Sequence, residues 1–303
     1  MRRTLEARGA ILHHRPMAQS TRREFRDLLK PGAAVLLPGV ANALAARVVA
    51  DTGFAAAYVT GAGIANTHLG IPDNGLVTLT ELTGHVAAIR EAFARPLMVD
   101  ADTGFGNALN MQRTIRALER AGADAIQIED QVFPKRCGHF EGKAVILAAE
   151  MVGKIKAAVD ARTDADLLIV ARTDAIAVDG FDAAIDRAHA FHEAGADIGF
   201  VEAPTTPEQI ATIARLPWPQ LVNIVVGGKT PELPNGELRE LGFAGAIYAN
   251  AALQAAVLGM QRALAHLKAN GRFGDAKDLL ASFAERQRLV DIAGFEAAER
   301  KYK

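Results

Sequence analysis

The feature that most restricts this chain is a repeated alternation. Short apolar, β-rich runs recur between helical stretches: Ala34–Leu37, Ala56–Thr60, Leu97–Asp100, Ala125–Ile128, Leu167–Ala171, Ile198–Val201, Leu221–Ile224 and Ala246–Tyr248. None alternates cleanly between apolar and polar, which is the pattern of strands covered on both faces. Amphipathic helices fit between most of them. In Leu109–Ala121, for example, Met111, Ile115 and Leu118 fall at i, i+4 and i+7. The punctuation repeats as well. Ala121-Gly122-Ala123-Asp124 and Ala194-Gly195-Ala196-Asp197 precede strands, as do Thr52-Gly53-Phe54 and Leu241-Gly242-Phe243. Each glycine stands where a helix ends and positive φ is needed. Eight strands alternating with helices over about 220 residues predict a parallel (β/α)8 TIM barrel, whose typical size is about 250 residues. The alternative is an open doubly wound sheet, but no glycine-rich dinucleotide fingerprint follows the first strand.

Composition narrows the function classes. Half of the 303 residues are hydrophobic and 23% are charged, as in a soluble globular protein. The net charge of −1 gives no bias toward nucleic acid or an anionic membrane. No apolar run of about 18 residues predicts a membrane span. The single cysteine, Cys137, excludes an intrachain disulfide and points to a reducing, cytoplasmic setting. Met1–Pro16 carries four arginines against Glu6 and lacks the apolar core of a secretory signal. It reads as a tail with Met17 as the effective beginning, the alternative being an organelle transit segment. The expected organisation is a tail and leading helix over 1–30, then one barrel domain over 31–303 with a helical extension from about 251. In the extension Leu253, Val257 and Met260 form one apolar stripe, and Leu279, Leu280, Phe283 and Leu289 another. These stripes cover the barrel's own base or bury against a second subunit.

The C-terminal ends of the strands build the active site of such a barrel. Here they carry Thr60-Gly61-Ala62, Asp100 and Asp102, Glu129-Asp130, Arg172, Glu202, Asn223 and Asn250. Loops are polar in general, but acidic groups gathered round one arginine are costly unless paired, hydrated or used. Asp100 and Asp102 lie two apart at a strand end and approach one point, and Glu129 joins them from the next strand. This all-oxygen set suits Mg²⁺, with Mn²⁺ as a substitute, although paired acids also cap helices and bind arginine. A lone cysteine is ordinarily a small buried hydrophobe. Cys137 instead sits within Lys135-Arg136-Cys137-Gly138-His139, whose charges depress a thiol pKa and make it a usable acid or nucleophile. Gly227-Gly228-Lys229-Thr230 invites a phosphate-loop reading, but Asn223 stands where that pattern needs its first glycine. Gly61-Ala62-Gly63 reads better as a backbone N–H cradle for a carboxylate.

Together these stretches resemble the isocitrate lyase and phosphoenolpyruvate mutase superfamily from about Leu36 onward. The resemblance is carried by Pro38-Gly39-Val40, Tyr58-Val59-Thr60-Gly61, Leu69 through Asp73, Asp100 through Gly106, Ile128 through Gln131, Lys135 through His139, Ala171 through Asp174, and Asn223. It implies an Mg²⁺-dependent carbon–carbon lyase. Such an enzyme cleaves a 2-hydroxy di- or tricarboxylic acid, of 2-methylisocitrate or 2,3-dimethylmalate type, into an α-keto acid and a carboxylic acid by retro-aldol (Claisen-type) cleavage. By the same resemblance Asp73, Asp100, Asp102 and Glu129 form the metal shell, and Thr60, Gly61 and Ala62 cradle the keto-acid carboxylate. Asp100, Arg172, Gly138, His139, Glu202 and Asn223 contact substrate, Arg172 and His139 also count as catalytic, and Cys137 is the general acid on a gating loop. The base is either Tyr58 or a metal-linked carboxylate. A homotetramer exchanging C-terminal helices is implied too. The phosphonate-processing members typically lack this cysteine. Oxaloacetate decarboxylation or hydrolysis, or phosphonate chemistry, is the rival activity on the same platform, and a silent keto-acid-binding barrel is the rival from outside enzymes. The apolar pair Val225-Val226 departs from the hydroxyl residue that tricarboxylate lyases usually carry near the asparagine. Phe140 through Lys143 and Gly227 through Pro231 look closer to the dimethylmalate lyase branch.

Overall fold

The structure, a computed structural model, describes residues 20–136, 138, 142–274 and 276–303. The expectations for Met1–Pro16, Cys137 and His139 lie outside the described residues. The described residues fall into two compact units, 20–256 and 257–303.

In the first unit eight parallel strands close into a barrel in sequence order, β8 pairing back to β1. They are β1 (Val35–Val40), β2 (Ala57–Val59), β3 (Leu97–Asp100), β4 (Ala125–Glu129), β5 (Leu168–Thr173), β6 (Ile198–Val201), β7 (Gln220–Asn223) and β8 (Gly245–Tyr248). The predicted (β/α)8 architecture is therefore present, with most strand ends within a residue or two of expectation. The larger differences are at β1 and β5, which run on to Val40 and Thr173 and carry the ladder further toward the mouth. The predicted helix Leu109–Ala121 spans Ala108–Ala121. The Asn107 side chain caps its start by accepting from the Leu109 and Asn110 N–H groups, and Gly122 ends it at φ 102°.

Strand periodicity explains where the site lies. Side chains two apart share a face, and in a barrel one face is the lumen. The lumen is filled by Leu37, Tyr58, Met98, Val170, Phe200, Leu221 and Ile247, among others. Two residues past several of these come polar groups: Asp100 after Met98, Arg172 after Val170, Glu202 after Phe200 and Asn223 after Leu221. The lumen thus turns from apolar to polar as it approaches the C-terminal mouth. Its opposite end is closed by the helix Thr21–Leu28, whose fully buried Phe25 and the following Leu29 belong to the lumen cluster. Arg22 and Arg26 fasten this helix by ion pairs to Asp164 at 2.9 Å and Asp197 at 3.0 Å. Two further apolar clusters pack strands against the surrounding helices.

The second unit holds most of the helix Ala251–Asn270 and the helices Phe283–Leu289 and Ile292–Arg300. Met260, Leu264, Phe283 and Phe295 are exposed on it. Among the described residues no helix is long and apolar enough to cross a membrane.

Candidate active site

The mouth of the barrel gathers the predicted side chains into one polar floor. Asp100, at the end of β3, accepts from the Gln127 amide at 3.2 Å, the Asp102 N–H at 3.1 Å and the Gly61 N–H at 3.4 Å. Asp102 adopts a left-handed φ of 48°, which turns the chain so that both acids serve the same floor. Thr60 caps the short helix Gly61–Ile64 by accepting from the Gly63 N–H at 3.2 Å. A side chain in place of Gly61 would bring its Cβ to 3.2 Å from both Asp100 and Asp102, so the backbone approaches the acids closely.

A buried lysine is central to the electrostatics. The Lys135 ammonium lies 2.5 Å from Asp73 Oδ1 and 2.9 Å from Asp102 Oδ1. Burial pushes the Asp102 carboxyl up to about 6, with Lys135 opposing and Asp100 and Asp73 adding to the shift. Burial works against the Lys135 charge, but Asp102, Glu129 and Asp73 outweigh it and hold the lysine protonated. Neither oxygen of the buried Glu129 carboxylate has a hydrogen-bond partner, and the Arg172 guanidinium stands 3.4 Å away. Burial raises the Glu129 pKa well above the carboxylate range, with Arg172 opposing it.

Arg172, at the end of β5, is gripped by Asp174 through Nε at 2.9 Å and Nη2 at 3.0 Å. Glu202 lies 3.6 Å from its Nε. Burial disfavours the guanidinium charge, yet Asp174, Glu129 and Glu202 raise its pKa further. Burial likewise pushes Asp174 up, but Arg172 and Lys143 outweigh it and hold that carboxyl below its usual range. Asn223 donates to Glu202 at 3.3 Å.

The segment after β4 forms a hairpin over this floor. Val132 N–H bonds to Ala144 O and Ile146 N–H to Asp130 O, both at 2.8 Å. Gln131 clamps Arg136 through its backbone N–H and C=O. Gly138 is seated so closely that an added Cβ would lie 2.4 Å from Arg172 Nη2 and 2.7 Å from Glu202 Cγ.

A cavity of about 650 Å³ opens beside the floor. Ala62, Asn66, Pro72 and Asp73 line one side, and Val225, Val226, Gly227, Gly228, Lys229 and Asn250 the other. A much smaller pocket beneath it reaches Tyr58, Asp100, Gly138, Arg172 and Asn223. Of the expected site residues, Thr60, Gly61, Ala62, Asp73, Asp100, Asp102, Glu129, Gly138, Arg172, Glu202 and Asn223 converge here.

Two expectations meet qualification. Tyr58 lies deeper, and its hydroxyl donates to Gln127 at 2.8 Å. Burial and the nearby Asp100 raise its pKa well above the phenol range, so the phenol keeps its proton in the resting protein. Lys135 supplies positive charge between two of the expected metal-shell carboxylates, Asp73 and Asp102. The donor chemistry nevertheless fits a hard divalent cation, because the donors are carboxylate oxygens and both buried Glu129 oxygens lack a partner.

Sequence reasoning assigned no part to Gln127, Asp174 or Lys143, and saw Lys135 only as a neighbour of the cysteine. Gln127 carries a legible signal, a lone amide inside the otherwise apolar run Ala125–Ile128. The lysines carry none, since only the folded hairpin brings them to the acids.

Comparison with known proteins follows the same geometry. The family model described as phosphoenolpyruvate phosphomutase matches residues 25–268. The 2,3-dimethylmalate lyase of Eubacterium barkeri is 43% identical over 284 residues, covering 93% of this chain and 98% of that protein. The 2-methylisocitrate lyase of Aeropyrum pernix is 44% identical, covering 91% and 88%. A crystal structure of 2,3-dimethylmalate lyase superposes with a TM-score of 0.88 at 34% identity, covering 95% of this chain and 96% of that one.

Proposed function

The chain belongs to the phosphoenolpyruvate phosphomutase family, and from that premise we propose that it is a carbon–carbon lyase acting on an alkyl-substituted 2-hydroxy dicarboxylate of the 2,3-dimethylmalate type. The observation that carries the substrate class is the pairing of a carboxylate-and-arginine floor with a cavity wall that includes Val225, Val226 and Pro72. Val225, Val226 and Pro72 favour alkyl groups and themselves offer no side-chain donor to a third carboxylate.

Asp100, Asp102, Glu129 and Asp73 would hold Mg²⁺, with Mn²⁺ as a substitute. When bound, the metal acts as a Lewis acid that lowers the pKa of the substrate hydroxyl. The chain's own residues supply the rest. Thr60, Gly61 and Ala62 hold the carboxylate of the fragment that becomes the α-keto acid. The hydroxyl proton passes to one of the two bases this site offers, a carboxylate of the floor or Tyr58. The carbon–carbon bond then breaks, and Arg172 steadies the negative charge that develops on the leaving carbon and its carboxylate. Glu202 and Asn223 orient the substrate beside Arg172. Gly138, packed on Arg172 and Glu202, keeps water from the charged centre. The family resemblance assigns the final protonation of the carbanion to Cys137 and a substrate contact to His139.

Exposed apolar side chains on the C-terminal helices, among them Leu264, Phe283 and Phe295, support a homotetramer that buries them between copies. The single cysteine supports a cytoplasmic setting.

The test is a product assay on chelator-treated protein. 2,3-Dimethylmalate, 2-methylisocitrate, oxaloacetate and phosphonopyruvate are each supplied with and without Mg²⁺. Pyruvate released from dimethylmalate only when the metal is restored is the expected result. Full turnover without metal would remove the metal assignment, and preference for oxaloacetate would replace the lyase by a hydrolase or decarboxylase.

A further inference from the structure

The returning limb of the hairpin brings in a buried ammonium that the reaction above does not use. The Lys143 side chain is 1% exposed. Its Nζ donates to Gly138 O at 2.5 Å and to Asp174 Oδ1 at 2.8 Å. Asp174 is the carboxylate that grips Arg172 by two parallel bonds, and its own N–H is held by Asp130 at 2.9 Å. One lysine therefore ties together the glycine packed on Arg172 and the carboxylate that aims Arg172.

A lysine serving only to balance buried charge needs a carboxylate and nothing more. Lys143 also reaches the backbone carbonyl of Gly138, the glycine seated against the guanidinium. Removing it leaves Asp174 Oδ1 bonded to Arg172 alone, so the carboxylate can rotate and take the guanidinium with it. It also leaves Gly138 O without its donor. Charge-assisted bonds are the stronger and more directional kind, which makes this junction stiff.

We propose that Lys143 is a positioning residue for Arg172. It locks the Asp174 carboxylate, and through it the guanidinium, with Nη1 turned toward Glu129, and it makes that orientation depend on the seating of Gly138. The geometric part stands without the lyase reading; the kinetic part rests on it.

The experiment uses the full chain labelled with ¹⁵N-arginine. The Arg172 Nε–H resonance is identified by its loss in Arg172→Lys. In Lys143→Met that resonance should move or broaden while the other arginine lines stay. If Lys143→Met does not fold, Lys143→Gln, which keeps a donor without the charge, is used in its place. A folded variant whose Arg172 line is unmoved overturns the proposal. With dimethylmalate as substrate, loss of orientation at this scale should lower kcat by roughly 100-fold with KM little changed. On the Arg172→Lys background the same substitution should add little, within about threefold, because the two residues act through one contact. A loss that multiplies undiminished on that background also overturns it. A wild type that cleaves no hydroxy acid strikes the lyase reading alone, and the resonance then decides.

Discussion

Gly138→Ala isolates the contact between the hairpin and the arginine. The added methyl would stand 2.4 Å from Arg172 Nη2 and 2.7 Å from Glu202 Cγ. Ordinary heavy-atom contacts are about 3.5 Å, so the overlap is close to 1 Å on two sides. Neither neighbour can withdraw cheaply, since Arg172 is held by Asp174 and Glu202 is buried. The relief is for residue 138 to lift, which breaks the bond from Lys143 to its carbonyl. A hydrogen bond to a charged group contributes about 1.5–3 kcal/mol. At about 1.4 kcal/mol per decade, kcat/KM should fall roughly 10- to 150-fold. The same lost bond should lower stability by about 1.5–3 kcal/mol. Pyruvate release from dimethylmalate and a melting curve on one preparation measure both effects. Activity within a factor of two of wild type, with an unchanged melt, would refute the claim that Gly138 is packed on Arg172 during turnover.

Cys137→Ser should lower turnover by about 10²–10⁴-fold, the usual contribution of a general acid, with little change in KM or melting temperature; near-normal steady-state turnover would end the acid assignment. Val225→Thr should shift the kcat/KM ratio toward 2-methylisocitrate over dimethylmalate by about tenfold, since a hydroxyl then faces the substrate's extra carboxylate. Competition between the two substrates measures the ratio, and an unaltered ratio would mean that this wall does not read the substituent. Phe25→Ala, which empties the plug at the closed end of the lumen, should cost about 3–5 kcal/mol in urea unfolding while kcat of the folded fraction is kept. A loss below 1 kcal/mol would show that the leading helix does not close the barrel (the smallest effect expected of a buried side chain is about that size).

The barrel was legible because its cause is local and repeated. Runs such as Leu97–Asp100 and Ile198–Val201 are too apolar for exposed strands, and Gly122 and Gly242 mark helix ends where the structure does place left-handed residues. The acidic floor was legible for the same reason: Asp100, Glu129 and Arg172 sit at strand ends, and the fold sends strand ends to one place. What stayed hidden is the way the floor is neutralised. A carboxylate cluster announces itself by spacing along a strand, whereas its counter-charges come from a hairpin whose lysines lie 35 and 43 residues beyond Asp100 by their numbering. Lys135 between Asp73 and Asp102, and Lys143 between Gly138 and Asp174, follow from the ladder that pairs Asp130–Val132 with Ala144–Ile146. No periodicity encodes that pairing.

The same asymmetry accounts for Tyr58. Position along the chain leaves Tyr58 and a carboxylate as alternative bases. The acidity of Tyr58 depends on depth: two residues before Thr60 along β2 lies one layer further into the lumen, where burial and the nearby Asp100 disfavour the phenolate. There the hydroxyl donates a hydrogen bond to the Gln127 amide oxygen, the Gln127 NH2 donates to Asp100, and the phenol braces the acid from below. Above it, at the level where lumen and cavity meet, stands Glu129, whose oxygens the same burial leaves unbonded.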